Sequence, residues 1–332
     1  MRKGMAIKVL LAAAVLAVGG YACERFGHPD ALPAAGQLPS APLAPEALRA
    51  QFFGTTTLLF RDGAHAVMVD SLLSRPGMRD VLFGKVASDP KRIGWALSEG
   101  KVGRIDLLLV SHSHYDHVLD APAVARATGA VIVGSPSTRE VALGNGIPDD
   151  RIRVIHGGEH LDAGDFHVTV FRSLHSAGDR VPGDITKPLQ LPASANAYKE
   201  GGTFAFLIEH DGLRILVHAS ANFVPGMYRG VHADVVYLAT GGLGAQTDDF
   251  ARAYWHEVVE TTGARLVVPI HWDDFLRPLD QPMLPLRRFM DDIPKGMARI
   301  EPLAKRDGVA IRTMPVIAPV DIAAAVRNPE ER

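Results

Sequence analysis

The segment that most constrains this chain is His112-Ser113-His114-Tyr115-Asp116-His117, which directly follows the apolar run Ile105 to Val110. A run of that length and character suits a strand buried on both faces. Loops at the carboxyl ends of such strands are where α/β sheets place ligands. His112 and His114 are two apart, so in extended backbone they project to one side and can meet one metal ion. Asp116 and His117 fall past the turn and can face a second ion or a bound water. Imidazole and carboxylate together suit zinc, with iron or manganese as alternatives. A solvated His-rich loop is the plainer reading, but histidines this dense after a wholly apolar strand make metal binding the expectation.

Around this segment the chain alternates strand and helix signals. Thr55 to Arg61 and Ala66 to Val69 flank Asp62-Gly63, a hairpin turn, and Thr203 to Glu209 and Leu213 to Val217 flank a second one at His210-Asp211-Gly212. Further strands are expected at Ala130 to Val133, Phe166 to Phe171, Val235 to Leu238, Arg265 to Ile270 and Val309 to Arg312. Helices are expected at Asp120 to Thr128, with Asp120 as N-cap and Gly129 beyond its end, at Ser137 to Leu143, and at Asp248 to Thr261. Strands first, then alternating helices and strands, twice over, predict a sheet-on-sheet core with helices outside.

Composition narrows the chemistry. The 35 Lys and Arg against 37 Asp and Glu leave a net charge of -2, without the basic excess of a dedicated nucleic-acid binder. The one cysteine, Cys23, excludes an intrachain disulfide framework and a cysteine-rich zinc site. Gly-x-Ser-x-Gly is absent and Cys23 lies near the amino terminus, which argues against serine or cysteine hydrolase chemistry.

The His-x-His-x-Asp-His motif after a buried strand resembles that of the metallo-β-lactamase superfamily. Asp70, His175 in Ser173-Leu174-His175-Ser176, and His271 in Pro269-Ile270-His271-Trp272-Asp273-Asp274 match its other motifs in order. Gly54-Thr55-Thr56-Thr57 and Pro-Ile-His-Trp look most like the branch containing ascorbate-6-phosphate lactonase and N-acylphosphatidylethanolamine phospholipase D. The resemblance implies an α/β fold, the four-layer αβ/βα sandwich, over about residues 51–315. It implies one ion held by His112, His114 and His175, and a second held by Asp116, His117 and His271. Asp70 would support the metal loop, and Asp273 either orients an imidazole or belongs, with Asp274, to a helix N-terminus. The implied activity is hydrolysis by a metal-bound hydroxide, with Asp116 orienting the water and moving its proton. Ester, lactone or phosphodiester bonds in small or lipid-like substrates are expected. β-Lactam hydrolysis and non-catalytic metal binding are the alternatives.

One position departs from the family pattern. Ser220 stands where the aspartate that bridges two metals is expected, and a neutral hydroxyl bridges two dications poorly, so weakened dinuclear binding or a single ion is expected unless His218, Asn222 or Asp273 compensates. Nuclease branches carry an inserted domain before the last histidine. The roughly fifty residues from Ser220 to His271 are too few for one. The segment Asp179 to Gly202 is expected as a loop over the site, and Gly241 to Gly244 as a tight turn. His156, His160, His167, His210, His232 and His256 are read as solvated or satisfied residues, not ligands.

The amino terminus reads as an address. Arg2, Lys3 and Lys8 precede an uncharged run from Val9 to about Ala22, short for a membrane span and right for a signal peptide. Gly20-Tyr21-Ala22-Cys23 resembles the lipobox of bacterial lipoproteins, with Gly20 where Leu is usual. Residues 1–23 are therefore read as signal peptide and lipobox or as a membrane anchor, and the protein as exported, periplasmic and membrane-anchored. Residues 24–50, with five prolines, are expected to form a flexible linker, and residues 316–332 a polar tail.

Overall fold

The computed structural model describes residues 27–29, 32, 36–40 and 47–329; the uncharged run and the lipobox-like segment lie outside them. The first sheet has the order β14-β1-β2-β3-β4-β5-β6. Its strands are β1 (Arg49–Phe52), β2 (Leu58–Arg61), β3 (Ala66–Val69), β4 (Leu107–Leu109), β5 (Val131–Gly134), β6 (Ile152–Val154) and β14 (Val320–Asp321). The second has the order β13-β12-β11-β10-β9-β8-β7. It is built from β7 (His160–Ala163), β8 (Phe166–Ser173), β9 (Thr203–His210), β10 (Leu213–His218), β11 (Val235–Ala239), β12 (Leu266–Ile270) and β13 (Ala310–Ile311). Each sheet pairs antiparallel through its hairpins and then parallel through its crossovers, so the two halves repeat one plan.

Helices form most of the crossovers: α1 (Met78–Phe83), α2 (Pro90–Glu99), α3 (Tyr115–Val118), α4 (Ala121–Thr128), α5 (Pro136–Gly144), α6 (Asp248–Trp255) and α7 (Ile293–Asp307). The β10–β11 crossover has no helix among the described residues, and α8 (Ile322–Arg327) follows β14. The sheets meet face to face, as in the edge-to-face contact of Phe60 on β2 with Tyr237 on β11 at 5.4 Å. The middle strands β4, β11 and β12 are buried along their whole length, which is why they read as unbroken apolar runs. With helices outside both sheets, the architecture is the four-layer αβ/βα sandwich.

Several elements differ from the sequence reading. The first hairpin strand begins at Leu58, not Thr55, because Thr55 turns with φ +53° and Thr57 N–H closes on Gly54 O at 2.9 Å. Asp120 precedes α4 but does not cap it; its carboxylate accepts from Leu73 N, Ser74 N and Ser74 Oγ instead. The helix expected to reach Thr261 is regular only to Trp255 and continues as a π turn over His256–Glu260. The described part of the proline-rich stretch is docked, not free. Leu38 is buried, Leu38 N–H donates to Thr313 O at 2.8 Å, and Thr313 N–H donates to Gly36 O at 3.0 Å. The carboxyl-terminal stretch is structured as well: β14 adds to β1 in the register Ala50–Val320, and α8 buries Ile322 and Val326.

Candidate metal centre

The site lies where strands of both sheets end. Asp70 follows β3, His112 to His117 follow β4, His175 follows β8, Ser220 follows β10 and His271 follows β12. Asp70 is fully buried and organises the loop after β4. Its carboxylate accepts from Ser111 N (2.7 Å), Ser111 Oγ (2.8 Å), Thr56 Oγ1 (2.6 Å) and His117 Nδ1 (2.8 Å). A carboxylate only accepts, so His117 carries its proton on Nδ1 and presents the Nε2 lone pair. The short α3, with His114 at its N-cap, turns the chain so that Asp116 and His117 come back beside His112.

Two triads result. One ligand atom from each of His112, His114 and His175 lies within 4.8 Å of the others, and the same holds for Asp116, His117 and His271. The triads share a wall, since the His112 and His117 rings are 3.7 Å apart. In the second triad, Asp116 Oδ2 is 3.6 Å from His117 Nε2 and 3.4 Å from His271 Nε2. His114 turns Nε2 outward to Val181 O at 3.2 Å, leaving Nδ1 for the cluster.

The donor set fits cations. His112 Nε2, His117 Nε2 and Ser220 Oγ are buried without a hydrogen-bond partner. One such atom costs roughly 1–3 kcal/mol, so several around one pair of clusters indicate a missing partner. The electrostatics agree. Burial first, then the neighbouring imidazoles, push the His112 ring well below its ordinary pKa, and burial with His114 beside it brings His175 to about 4. Both rings are therefore neutral at neutral pH, each with one nitrogen free of a proton, as metal ligation requires. Burial opposes charge on Asp116, but His117 and His271 outweigh it and hold the carboxyl below its usual range. Burial likewise opposes charge on His271, and Asp116 outweighs it, so that imidazole is raised.

Asp273, His218 and Asn222 were expected near the site, but Arg75, Tyr228 and the pairings among these residues were not visible in the sequence. Arg75, buried despite its size, donates through Nη2 to Asp273 Oδ2 at 2.6 Å and to Phe53 O at 3.1 Å. Asp273 Oδ1 in turn accepts Thr55 N–H at 2.7 Å, and Thr55 O accepts His271 N–H at 2.6 Å. Asp273 thus places His271 through the main chain and has no hydrogen bond to an imidazole. No helix begins at Asp273-Asp274 among the described residues, so the helix-terminus alternative falls. On the other side, His218 Nε2 meets Asn222 O at 2.7 Å and Nδ1 meets Tyr228 Oη at 2.8 Å. A carbonyl can only accept, so Nε2 carries the proton and Tyr228 donates. Asn222 Nδ2 donates to His175 O at 2.7 Å.

The Asp179 to Gly202 segment lies against the site, with Val181 O on His114 and Glu200 O accepting Ser113 N–H at 2.9 Å. Gly241 to Gly244 is a turn, with Gly242 at φ +86°, and a Cβ on Gly241 would stand 2.8 Å from His271 Nδ1, so glycine there makes room for the ring. His160, His167, His210, His232 and His256 have partners away from both triads, and His156 is exposed.

Comparison with known proteins converges on one class. The family model described as "Metallo-beta-lactamase superfamily" matches residues 50–196. A UPF0173 metal-dependent hydrolase of Anaeromyxobacter dehalogenans is 32% identical over 219 residues, covering 64% of this chain and 73% of that protein. Another, from Anaeromyxobacter sp. (strain K), is 34% identical over 110 residues, 32% of this chain and 40% of that protein. Among solved structures, Igni18, a metallo hydrolase from the archaeon Ignicoccus hospitalis, superposes with a TM-score of 0.50 at 16% identity. It covers 82% of this chain and 97% of its own. The chain belongs to the metallo-beta-lactamase superfamily. Its matched relatives include proteins named UPF0173 metal-dependent hydrolases.

Proposed function

We propose that this member of the superfamily is a metal-dependent hydrolase that cleaves an ester, lactone or phosphodiester bond in a small or lipid-like substrate. The observation that carries the reading is the pair of adjoining triads, in which His112 Nε2 and His117 Nε2 are buried and unpartnered. His112, His114 and His175 would hold one ion, and Asp116, His117 and His271 the other. Zinc suits this mixture of imidazole and carboxylate, with iron or manganese next. The ions, when bound, supply Lewis acidity and lower the pKa of a bound water to about 7.

The residues of the chain do the rest. Asp116 stays a carboxylate at neutral pH and has its Oδ2 between His117 and His271, where it can accept and pass on a water proton. Asp70 fixes the His117 tautomer. Ser220, whose buried hydroxyl has no partner, takes the place of a bridging carboxylate in this reading, so the two ions would be held more independently than a carboxylate bridge allows. An exported, membrane-tethered protein is the setting we infer from Arg2, Lys3, Lys8 and the uncharged run that follows.

A panel of phosphodiester, lactone, ester and β-lactam substrates, with and without a chelator, tests the reading. Turnover that chelation abolishes and that His114→Ala and Asp116→Asn both lose supports it. Metal uptake without turnover of any substrate would favour a metal-binding role alone, and turnover confined to β-lactams would replace the substrate class.

A further inference from the structure

We propose that α1 and its flanks form a membrane-contact surface, docked on anionic lipid beside the metal centre. Leu82 and Phe83 at the end of α1 are 57% and 86% exposed, and no residue of this helix is fully buried. Scattered exposed apolar residues are ordinary, but two adjacent large ones at a helix end leave about 1.5–3 kcal/mol of burial each unrealised. Arg79 and Lys85, both exposed, flank them, with Asp80 as the one acid between residues 78 and 85. Apolar side chains framed by cations are the pattern of a segment that sits at the headgroup and acyl boundary.

What covers this surface follows from where the amino-terminal chain reaches the body. His28 Nε2 is 2.7 Å from Asp274 Oδ2, and Arg288 N–H donates to Gly27 O at 3.3 Å. Arg75 Nη1 contacts Asp274 O at 3.5 Å and Arg277 O at 3.3 Å, and α1 begins three residues after Arg75. The point where the amino-terminal chain is gripped and the exposed helix therefore belong to one region. Only residues 23–27 separate His28 from the uncharged run ending at Ala22. Fully extended, they span at most about 20 Å. A run seated in a bilayer, as inferred above, would hold His28, whose ring meets Asp274 three residues past His271, at that distance or less from the lipid surface. A bilayer is thus the occupant that the length and the composition of the amino-terminal chain select.

The test uses the full chain in vesicles of phosphatidylcholine and phosphatidylglycerol whose acyl chains carry bromine, which quenches tryptophan on contact. Phe83→Trp is compared with Asp165→Trp. Asp165 is an exposed residue in the turn before β8, at the end of that strand away from His175. The expected result is flotation of both variants with the vesicles and at least twofold stronger quenching at position 83. That excess should shrink by half or more in Arg79→Ser/Lys85→Ser or when phosphatidylglycerol is left out. Equal quenching at the two positions, no quenching beyond that of the native tryptophans, an excess indifferent to lipid charge, or failure to float would each overturn the proposal.

Discussion

The two triads of the metal centre are built by different means. The one with Asp116, His117 and His271 is anchored by charge: Asp70 grips His117, and the buried Arg75–Asp273 pair fixes the turn that carries His271. The one with His112, His114 and His175 has no carboxylate ligand, and its hydrogen-bonded supports are neutral; the one carboxylate near it among the described residues outside the other triad, Asp179, stands back at 3.5 Å from His114 Nε2 and 3.8 Å from His175 Nδ1. A carbonyl on the 179–202 loop orients His114, and a chain from Tyr228 through His218 and Asn222 reaches the His175 main chain. The contrast teaches that the carboxylate-bearing triad is fixed by interactions that are costly to break. The all-imidazole triad rests on a polar network sensitive to acid. Ion pairs at 0–2% exposure are strongly destabilising when halved, whereas neutral hydrogen bonds cost about 1 kcal/mol each.

The largest effect is expected at Arg75. Arg75→Met leaves Asp273 charged, buried and alone, at a cost of about 3–5 kcal/mol. Urea unfolding should record that loss, and metal analysis of the folded fraction should show the ion of the Asp116 triad lost before the other. A variant that is equally depleted of both ions would erase the distinction between the triads.

Next comes the response to acid. Burial depresses His218 to about 4, with the carbonyl of Asn222 opposing, against an ordinary value of 6.5. The unfolded chain therefore binds a proton that the folded one refuses, so stability is whole above pH 6.5 and falls as pH drops from 6.5 to 4. The full contribution is on the order of 3 kcal/mol. In metal-free protein, His218→Gln should flatten the pH slope of unfolding free energy in that window. His112 and His175, also depressed, would supply the remaining slope. An unchanged slope would mean that His218 does not govern acid lability on this side of the site.

A smaller effect is expected one step nearer the ligand. Asn222→Ala removes the donor to the His175 carbonyl and leaves every ligand in place. Supports of this kind are worth about 10–100-fold in metal affinity. Titration of metal-free protein should show that loss in one equivalent only, the one His114→Ala also removes. If the two equivalents weaken together, the supports are shared.

How much of this was legible depends on sequence distance. His112, His114, Asp116 and His117 lie within six residues after an apolar strand, so composition and spacing exposed them at once. The middle strands were legible for the same reason: burial on both faces leaves an unbroken apolar run in β4, β11 and β12. The supports were not. Arg75 and Asp273 are 198 residues apart, and nothing local marks either as a partner of the other. Asp120 carries a cap-like position, but the fold supplies stronger donors in Leu73 and Ser74. α2 and α7 escaped because Gly94 in one and Pro302 in the other break the helical pattern, although Asp89 and Asp292 do cap them. The linker reading failed over its described part because backbone pairing with Thr313 is indifferent to side-chain composition.

The smallest expected effect is the one that bears most directly on how the triads communicate. Ser220 Oγ is buried and unpartnered after β10. If its position faces both ions, Ser220→Asp adds one negative charge that the two can share, and the gain goes chiefly to the weaker equivalent. Tightening of that equivalent by about tenfold, or about 1.4 kcal/mol, is expected in a competition titration with a chromophoric chelator. Without metal the same carboxylate is buried beside imidazoles with no hydrogen-bond donor assigned to it, so the metal-free variant should unfold more readily by about 1–3 kcal/mol. The two signs together identify the position: a substitution that merely disturbs packing weakens the protein with and without metal. Weakened or unchanged affinity for both equivalents would place the hydroxyl away from the ions and leave the triads coupled only through the His112–His117 contact.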